Sequence, residues 1–308
     1  MHCVLIIFLT QIYPLKKTIA LTLIALTIGF TATAQQTINS IEQAVLLKAE
    51  TVLRLNLNQK NYYDFPVQLQ KFDSLKYLSL KKNRLGEIPE WFSELAALEE
   101  VHFEKNLIAD IGILNLPKLT SLHLDKNQLD TVYLVRSRLP ELEELFLNNN
   151  GLKYIDQGLC KITSLKNASV AFNELKLLPN CKAFENLEVF HAENNQLLQW
   201  PFKDARMSKL KELYLNNNQI NRFPSNLQHL TSLEVLNLSN NDLRQIPSEI
   251  SMLKNLKILT LSGNKLENLP ESIKNCDKLK HLYLVNNPIS EVELKKIKAY
   301  LPNCQVIM

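Results

Sequence analysis

His102 stands two residues before Glu104, and His123 stands two residues before Asp125. An imidazole and a carboxylate at that spacing can ligate a borderline-soft cation such as zinc or relay a proton as a hydrolytic acid/base pair. They can also present a mixed donor and acceptor surface to another molecule. In an extended strand residues i and i+2 share a face, so each pair would point one way. His191 and Glu193 repeat the pattern, and Phe146, Tyr214 and Tyr283 prove to fall in the same frame. Whether these side chains converge depends on the elements that carry them.

An internal repeat defines those elements. The run Leu75-Lys-Tyr-Leu-Ser-Leu-Lys-Lys-Asn-Arg-Leu85 follows L-x-x-L-x-L-x-x-N-x-L, and the frame returns from Leu98, Leu119, Leu142, Leu165, Leu187, Leu210, Leu233, Leu256 and Leu279. Val52 begins a degenerate first copy and Leu301 a truncated last strand. Such a period marks a stacked solenoid, in which no copy can bury its own leucines alone. Period-2 alternation turns positions 4 and 6 inward and positions 3, 5 and 7 outward. His102 and His123 are therefore position 5, and Glu104 and Asp125 position 7, of copies three and four. Their backbones should lie about 5 Å apart on adjacent strands, close enough for the quartet to meet one ion.

The ninth position carries Asn83, Asn106, Asn127, Asn150, Asn173, Asn195, Asn218, Asn241, Asn264 and Asn287. A buried amide survives only when hydrogen-bonded, so these are expected to form a structural ladder rather than a reactive site. Position 5 reads Asn56, Ser79, His102, His123, Phe146, Ser169, His191, Tyr214, Asn237, Thr260 and Tyr283, rich in the amphipathic types that suit recognition. Glu99, Glu100, Glu104, Asp125, Glu143 and Glu144 make copies three to five an acidic strip, beside basic Lys76, Lys81 and Lys82. That strip predicts a partner with a basic or mixed-charge segment.

The chain resembles the leucine-rich repeat family in its 23-residue form, where a Leu-Pro pair follows the strand motif. The pair stands here as Ile88-Pro89, Leu178-Pro179, Ile246-Pro247 and Leu269-Pro270, with Phe65, Trp200 and Phe223 before proline elsewhere. The resemblance runs from Val52 to the C-terminus, and the closing segment is similar to those of exported bacterial members. It implies an α/β solenoid, a right-handed horseshoe with a curved parallel sheet of about 12 short strands on its concave face. Copies three to five lack the proline, having Ile111-Gly112, Val132-Tyr133 and Ile155-Asp156, and should differ on the convex side.

Helical caps are expected at both ends. Ser40-Ile-Glu-Gln43 reads as a capping box opening a helix over SIEQAVLLK, and Ser290 should open another over EVELKKIKAYL, with Leu294 and Ile297 inward. The expected divisions are a leader over 1–34, an N-terminal cap over 35–51, repeats over 52–287, and a closing helix and strand over 288–308. Lys16-Lys17, an apolar run and Ala32-Thr33-Ala34 have the form of a signal peptide, too short to stay as a membrane span. A start near Leu15 would give the leader ordinary proportions, and Gln35 is the expected mature N-terminus.

Without Lys16 and Lys17, 33 basic side chains oppose 31 acidic ones, which leaves no electrostatic footprint for nucleic acid or an anionic membrane. Cys160, Cys181, Cys276 and Cys304 form no C-x-x-C pair and are expected as small buried apolar residues, with a Cys160–Cys181 bridge as the alternative. The expectation for function is an exported, periplasmic or extracellular, non-catalytic module without cofactor. It would grip a protein or peptide through His102, Glu104, His123, Asp125, Phe146, His191, Glu193, Tyr214 and Tyr283. The alternatives are a metal or hydrolytic site at the His102/Glu104/His123/Asp125 quartet, or a carbohydrate-binding adhesin whose aromatic row stacks on sugars.

Overall fold

A computed structural model describes residues 36–181, 184–201, 206–224 and 227–308. The expected leader, 1–34, lies outside them. Each copy supplies a three-residue strand centred on position 4: Arg54–Asn56, Tyr77–Ser79, Glu100–His102, Ser121–His123, Glu144–Phe146, Asn167–Ser169, Val189–His191, Glu212–Tyr214, Val235–Asn237, Ile258–Thr260 and His281–Tyr283. Gln305–Ile307 closes one parallel sheet of 12 strands, which remains open at its ends. Pairing is in register throughout, so position 5 of one copy faces position 5 of the next, as in His102↔His123↔Phe146↔Ser169↔His191↔Tyr214.

The leucines at positions 1, 4 and 6 fill one continuous core running the length of the sheet. Copy six has small Ala168 at position 4 directly opposite Phe190 of copy seven, so a large ring offsets the volume a small residue leaves. The asparagine ladder holds the turns. Asn195, for example, donates through Nδ2 to Val170 O at 2.9 Å and Ala192 O at 3.2 Å, while its Oδ1 accepts from Leu175 N at 3.0 Å. Each remaining ladder residue repeats this bridge between its own copy and the one before. Position 8, just ahead of the ladder, turns the chain through positive φ, which explains the run of Asn there and Gly263 at φ +67°, while Lys82, Lys105 and Lys126 adopt the same turn in copies two to four.

Proline opens the convex turn in four copies. Pro66, Pro89, Pro247 and Pro270 each stand at the N-cap of a 3-10 turn, because the fixed φ starts a turn whose first N–H has no partner to lose. Leu178-Pro179 of copy six opens none among the described residues, and copies three and four, without the Leu-Pro pair, form none either. There the convex connections pair as strands, through bridges at Glu87↔Asp110 and Asn115↔Arg138, and through Thr131–Val132 beside Tyr154–Ile155. Copy five departs from the expectation and regains a 3-10 turn at Gln157–Lys161, because Asp156 takes proline's place. Its carboxylate accepts from Gly158 N at 2.8 Å and from Leu134 N and Val135 N of the preceding copy.

Two expectations need correction. Cys160 and Cys181 are not merely buried thiols: they form a disulfide, with Cα atoms 4.9 Å apart, stapling the convex turns of copies five and six. The N-terminal helix is shorter than SIEQAVLLK, spanning Ile41–Ala44, although Ser40 caps it as expected by accepting from Gln43 N. At the other end Ser290 accepts from Glu293 N and opens a helix over Glu291–Tyr300, with Ile297 fully buried against the last copy and Leu294 half-buried. Among the described residues no helix is long and apolar enough to cross a membrane.

Candidate functional site

In-register parallel strands repeat every 4.7–4.9 Å or so, close to the separation of stacked rings. Aromatic side chains at one repeat position therefore stack face to face along the sheet. His102 stacks on His123 with centroids 4.2 Å apart and planes 18° apart, and His123 on Phe146 at 4.7 Å and 20°. Tyr77, from position 3 of copy two, extends the row to His102 at 5.5 Å, and the Arg54 guanidinium lies 4.1 Å over the Tyr77 ring. The row breaks at copy six, which has Ser169. It resumes with His191 on Tyr214, 4.4 Å apart and nearly parallel at 3°.

Neighbours cover part of this row. His102 is 7% exposed, because Tyr77 and His123 lie against its faces while Glu100 and Glu104 lie against its nitrogens, at 2.5 and 3.3 Å. His123, Phe146, His191 and Tyr214 stay half-buried and available from solvent. Tyr214 donates to Glu212 at 2.8 Å, and burial together with that bond pushes its phenol up to about 12. Tyr283 stands apart, beyond Asn237 and Thr260, and belongs to neither stack.

Three of the six acids of the strip, Glu99, Glu104 and Glu143, are paired with lysines of adjacent copies. Position 2 forms a charge ladder between adjacent copies: Glu99 pairs with Lys76 at 2.8 Å and Glu143 with Lys166 at 2.7 Å. Glu188 pairs with Lys211 and Glu234 with Lys257, both at 2.6 Å. Lys81 lies 2.7 Å from Glu104. Burial acts to raise the Glu104 carboxyl, but hydrogen bonds from His102, Lys81 and its own backbone outweigh it and hold the group down at about 2. Burial and the His102 charge lower the His123 imidazole below its ordinary value.

The quartet of the alternative metal or hydrolytic reading is not brought together as four ligands. His102, Glu104 and His123 each offer one ligand atom, all within 4.8 Å of one another, but Asp125 is used elsewhere and accepts from Asn148 N at 2.8 Å. Burial raises the Asp125 carboxyl, against that hydrogen bond. Stacking also works against coordination. A metal lies in the plane of the imidazole that binds it, about 2 Å from nitrogen, and two parallel rings aim their lone pairs side by side rather than at one point. Lys81 already supplies the cation that Glu104 neutralises.

Family comparison follows from the repeat. A model described as leucine-rich repeat region matches residues 164–299, and one described as leucine rich repeat matches 73–129, together more than half of the sequence. The chain belongs to the leucine-rich repeat family. Osteomodulin of Bos taurus is 32% identical over 119 residues, a match that spans 38% of this chain and 27% of that protein. This leucine-rich repeat chain thus corresponds to only part of the curated relatives it matches. Among solved structures, the internalin inlF of Listeria monocytogenes shares the fold with TM-score 0.62 and 24% identity, covering 88% of this chain and 84% of the other. The ectodomain of the Arabidopsis thaliana membrane receptor kinase GASSHO1/SCHENGEN3, solved in complex with CASPARIAN STRIP INTEGRITY FACTOR 2, shares it with TM-score 0.59 and 24% identity, covering 82% and 34%.

Sequence reasoning about this leucine-rich repeat missed three contributors to the concave face. Arg54 and Tyr77 precede the position-5 row, and only the offset of position 3 in copy two brings Tyr77 under it. Phe172, at position 8 of copy six, is 51% exposed and holds φ 57°, a conformation bulky residues rarely adopt. Its signal was legible: it is the one aromatic at a turn position otherwise filled by Lys, Asn, Gln or Gly.

Proposed function

We propose that the chain is an exported, non-catalytic binding module that holds a protein or peptide segment across its concave sheet. The observation that carries this reading is the ordered aromatic row on that face, half-buried rings set at stacking distance and open to solvent on their edges. Rigid amphipathic rings give large contact area at small entropic cost, which is why such residues dominate recognition surfaces. Export is supported by the Cys160–Cys181 bridge, since disulfides persist in oxidising compartments, and by the signal-like leader. The plant receptor ectodomain, caught with its partner, supports the same use of the fold. Paired replacement of Phe146 and Tyr214 by Ala tests it. Capture of the partner crosslinked to the native protein should fall at least about tenfold, as expected for loss of two anchors of roughly 1 kcal/mol or more each. Melting should change little, because both rings lie outside the leucine core. Undiminished capture would move binding to another face.

A further inference from the structure

The two stacks on the concave face leave a gap one ring wide. Phe146 and His191 stand at position 5 of copies five and seven, each stacked on one side only, and Ser169 of copy six lies in register between them. Two strand steps separate their backbones, about 9.5 Å, which is twice the spacing of the stacks themselves. The floor is small: Ser169 is buried and donates to Asn148 Oδ1, and Ala171 is 2% exposed. The resulting hollow of about 340 Å³ is lined by Phe146, Ser169, Ala171, Phe172, His191 and Glu193 along with the flanking asparagines. A planar group of one ring's thickness would complete the stack from Tyr77 to Tyr214.

The charges around the gap indicate which planar group. Glu99, Glu104, Glu143, Glu188 and Glu234 are matched by lysines of neighbouring copies, whereas Glu144, Glu193 and Glu212 have no lysine or arginine partner among the described residues, and Glu193 is met only by the His191 imidazole, at 3.3 Å. Position 8 beside them is Asn149, Phe172 and Asn194, where copies two to four carry Lys82, Lys105 and Lys126. The gap is therefore an aromatic slot with unmatched negative charge at its rim. The row already shows what suits it, since Arg54 caps the far end by laying its guanidinium on Tyr77.

We infer that the slot between Phe146 and His191 receives an arginine side chain of the partner segment, its guanidinium stacked between the two rings and its edge donating to Glu193. This rests on the concave-face reading and names the anchor chemistry within it. A guanidinium at that position would lie within about 6 Å of both ring centroids, the range of cation–π attraction, and its planar fork suits a carboxylate better than an ammonium does.

Alanine-methyl NMR on the whole protein tests it, with the Ala171 methyl as the reporter on the slot floor. The probes are N-acetyl-arginine amide, N-acetyl-lysine amide and N-acetyl-phenylalanine amide, each titrated to about 50 mM, where millimolar affinities are visible. The arginine probe should shift Ala171 saturably and the lysine probe about tenfold more weakly. Glu193→Gln should weaken the arginine response without removing the fold. Ser169→Tyr, which supplies from within the ring that copies five and eight carry, should abolish it. No saturable shift at Ala171, a phenylalanine probe that saturates first, or a response that survives Ser169→Tyr would each overturn the inference. If Phe146→Ala/Tyr214→Ala loses partner capture while Ala171 ignores arginine, the slot assignment fails and the concave-face reading stands. Undiminished capture by that pair of variants removes the reading itself.

Discussion

At the scale of single residues, the Glu104 carboxylate is held well below its ordinary value by its neighbours. Its folded pKa, about 2, lies below the ordinary 4.5, so on acidification the unfolded chain takes up this proton first. The stability it contributes is complete above pH 4.5 and is lost as pH falls toward 2. Glu104→Gln should flatten that limb of a stability-against-pH curve measured by urea unfolding. An unchanged acid limb would mean the Lys81 and His102 contacts do not hold it. His123 acts earlier in the same direction: with its folded pKa depressed below 6.5, stability declines as pH drops through that value, and His123→Gln should remove the decline. The ladder asparagines are more costly to lose. Asn195→Ala leaves Val170 O, Ala192 O and Leu175 N without their bonds in the core and should lower unfolding free energy by about 3 kcal/mol. A loss below about 0.5 kcal/mol would place those groups in contact with water instead. The ladder was legible because an amide repeated at a core-facing position has one physical solution. The burial of His102 was not, since it depends on Tyr77 reaching across from another repeat position and on which way Glu100 and Glu104 turn.

At the scale of elements, the strands could be read from the leucine frame and the caps from Ser40 and Ser290, because period and capping chemistry are local. The convex side was less legible. Proline opens a 3-10 turn in copies one, two, nine and ten but not at Pro179 of copy six, the side chain of Asp156 can do the same work, and copies three and four pair as strands instead. The Cys160–Cys181 bridge could be named from the sequence but not decided, for a related reason: the leucine frame specifies where strands lie, not how close two convex turns approach. With its ends 21 positions apart in sequence, the bridge should contribute about 3 kcal/mol by restricting the unfolded chain. In a solenoid that loss is local. Reduction with dithiothreitol should therefore raise amide exchange in copies five and six first, and uniform protection across all copies after reduction would contradict this. Cys276 and Cys304 should resist alkylation, as burial pushes both thiols up to about 11.

At the scale of the whole molecule, one parallel sheet presents a row of stacked rings along its exposed face, and the convex side carries the turns, the disulfide and the packed Trp91 and Trp200. The repeat makes the duplication of His-x-carboxylate inevitable once two adjacent copies share residues at positions 5 and 7. In-register stacking then turns that duplication into a surface. The central claim is that this surface is where the partner binds. Site-specific photocrosslinking in the native cells tests it most directly, with the photoreactive residue placed at Asn216 or Asn237 on the concave face and at Val67 or Met252 on the convex turns. The account predicts one and the same adduct from both concave positions, lost when Phe146 is replaced by Ala, and none from the convex pair. Adducts from the convex positions alone would contradict it.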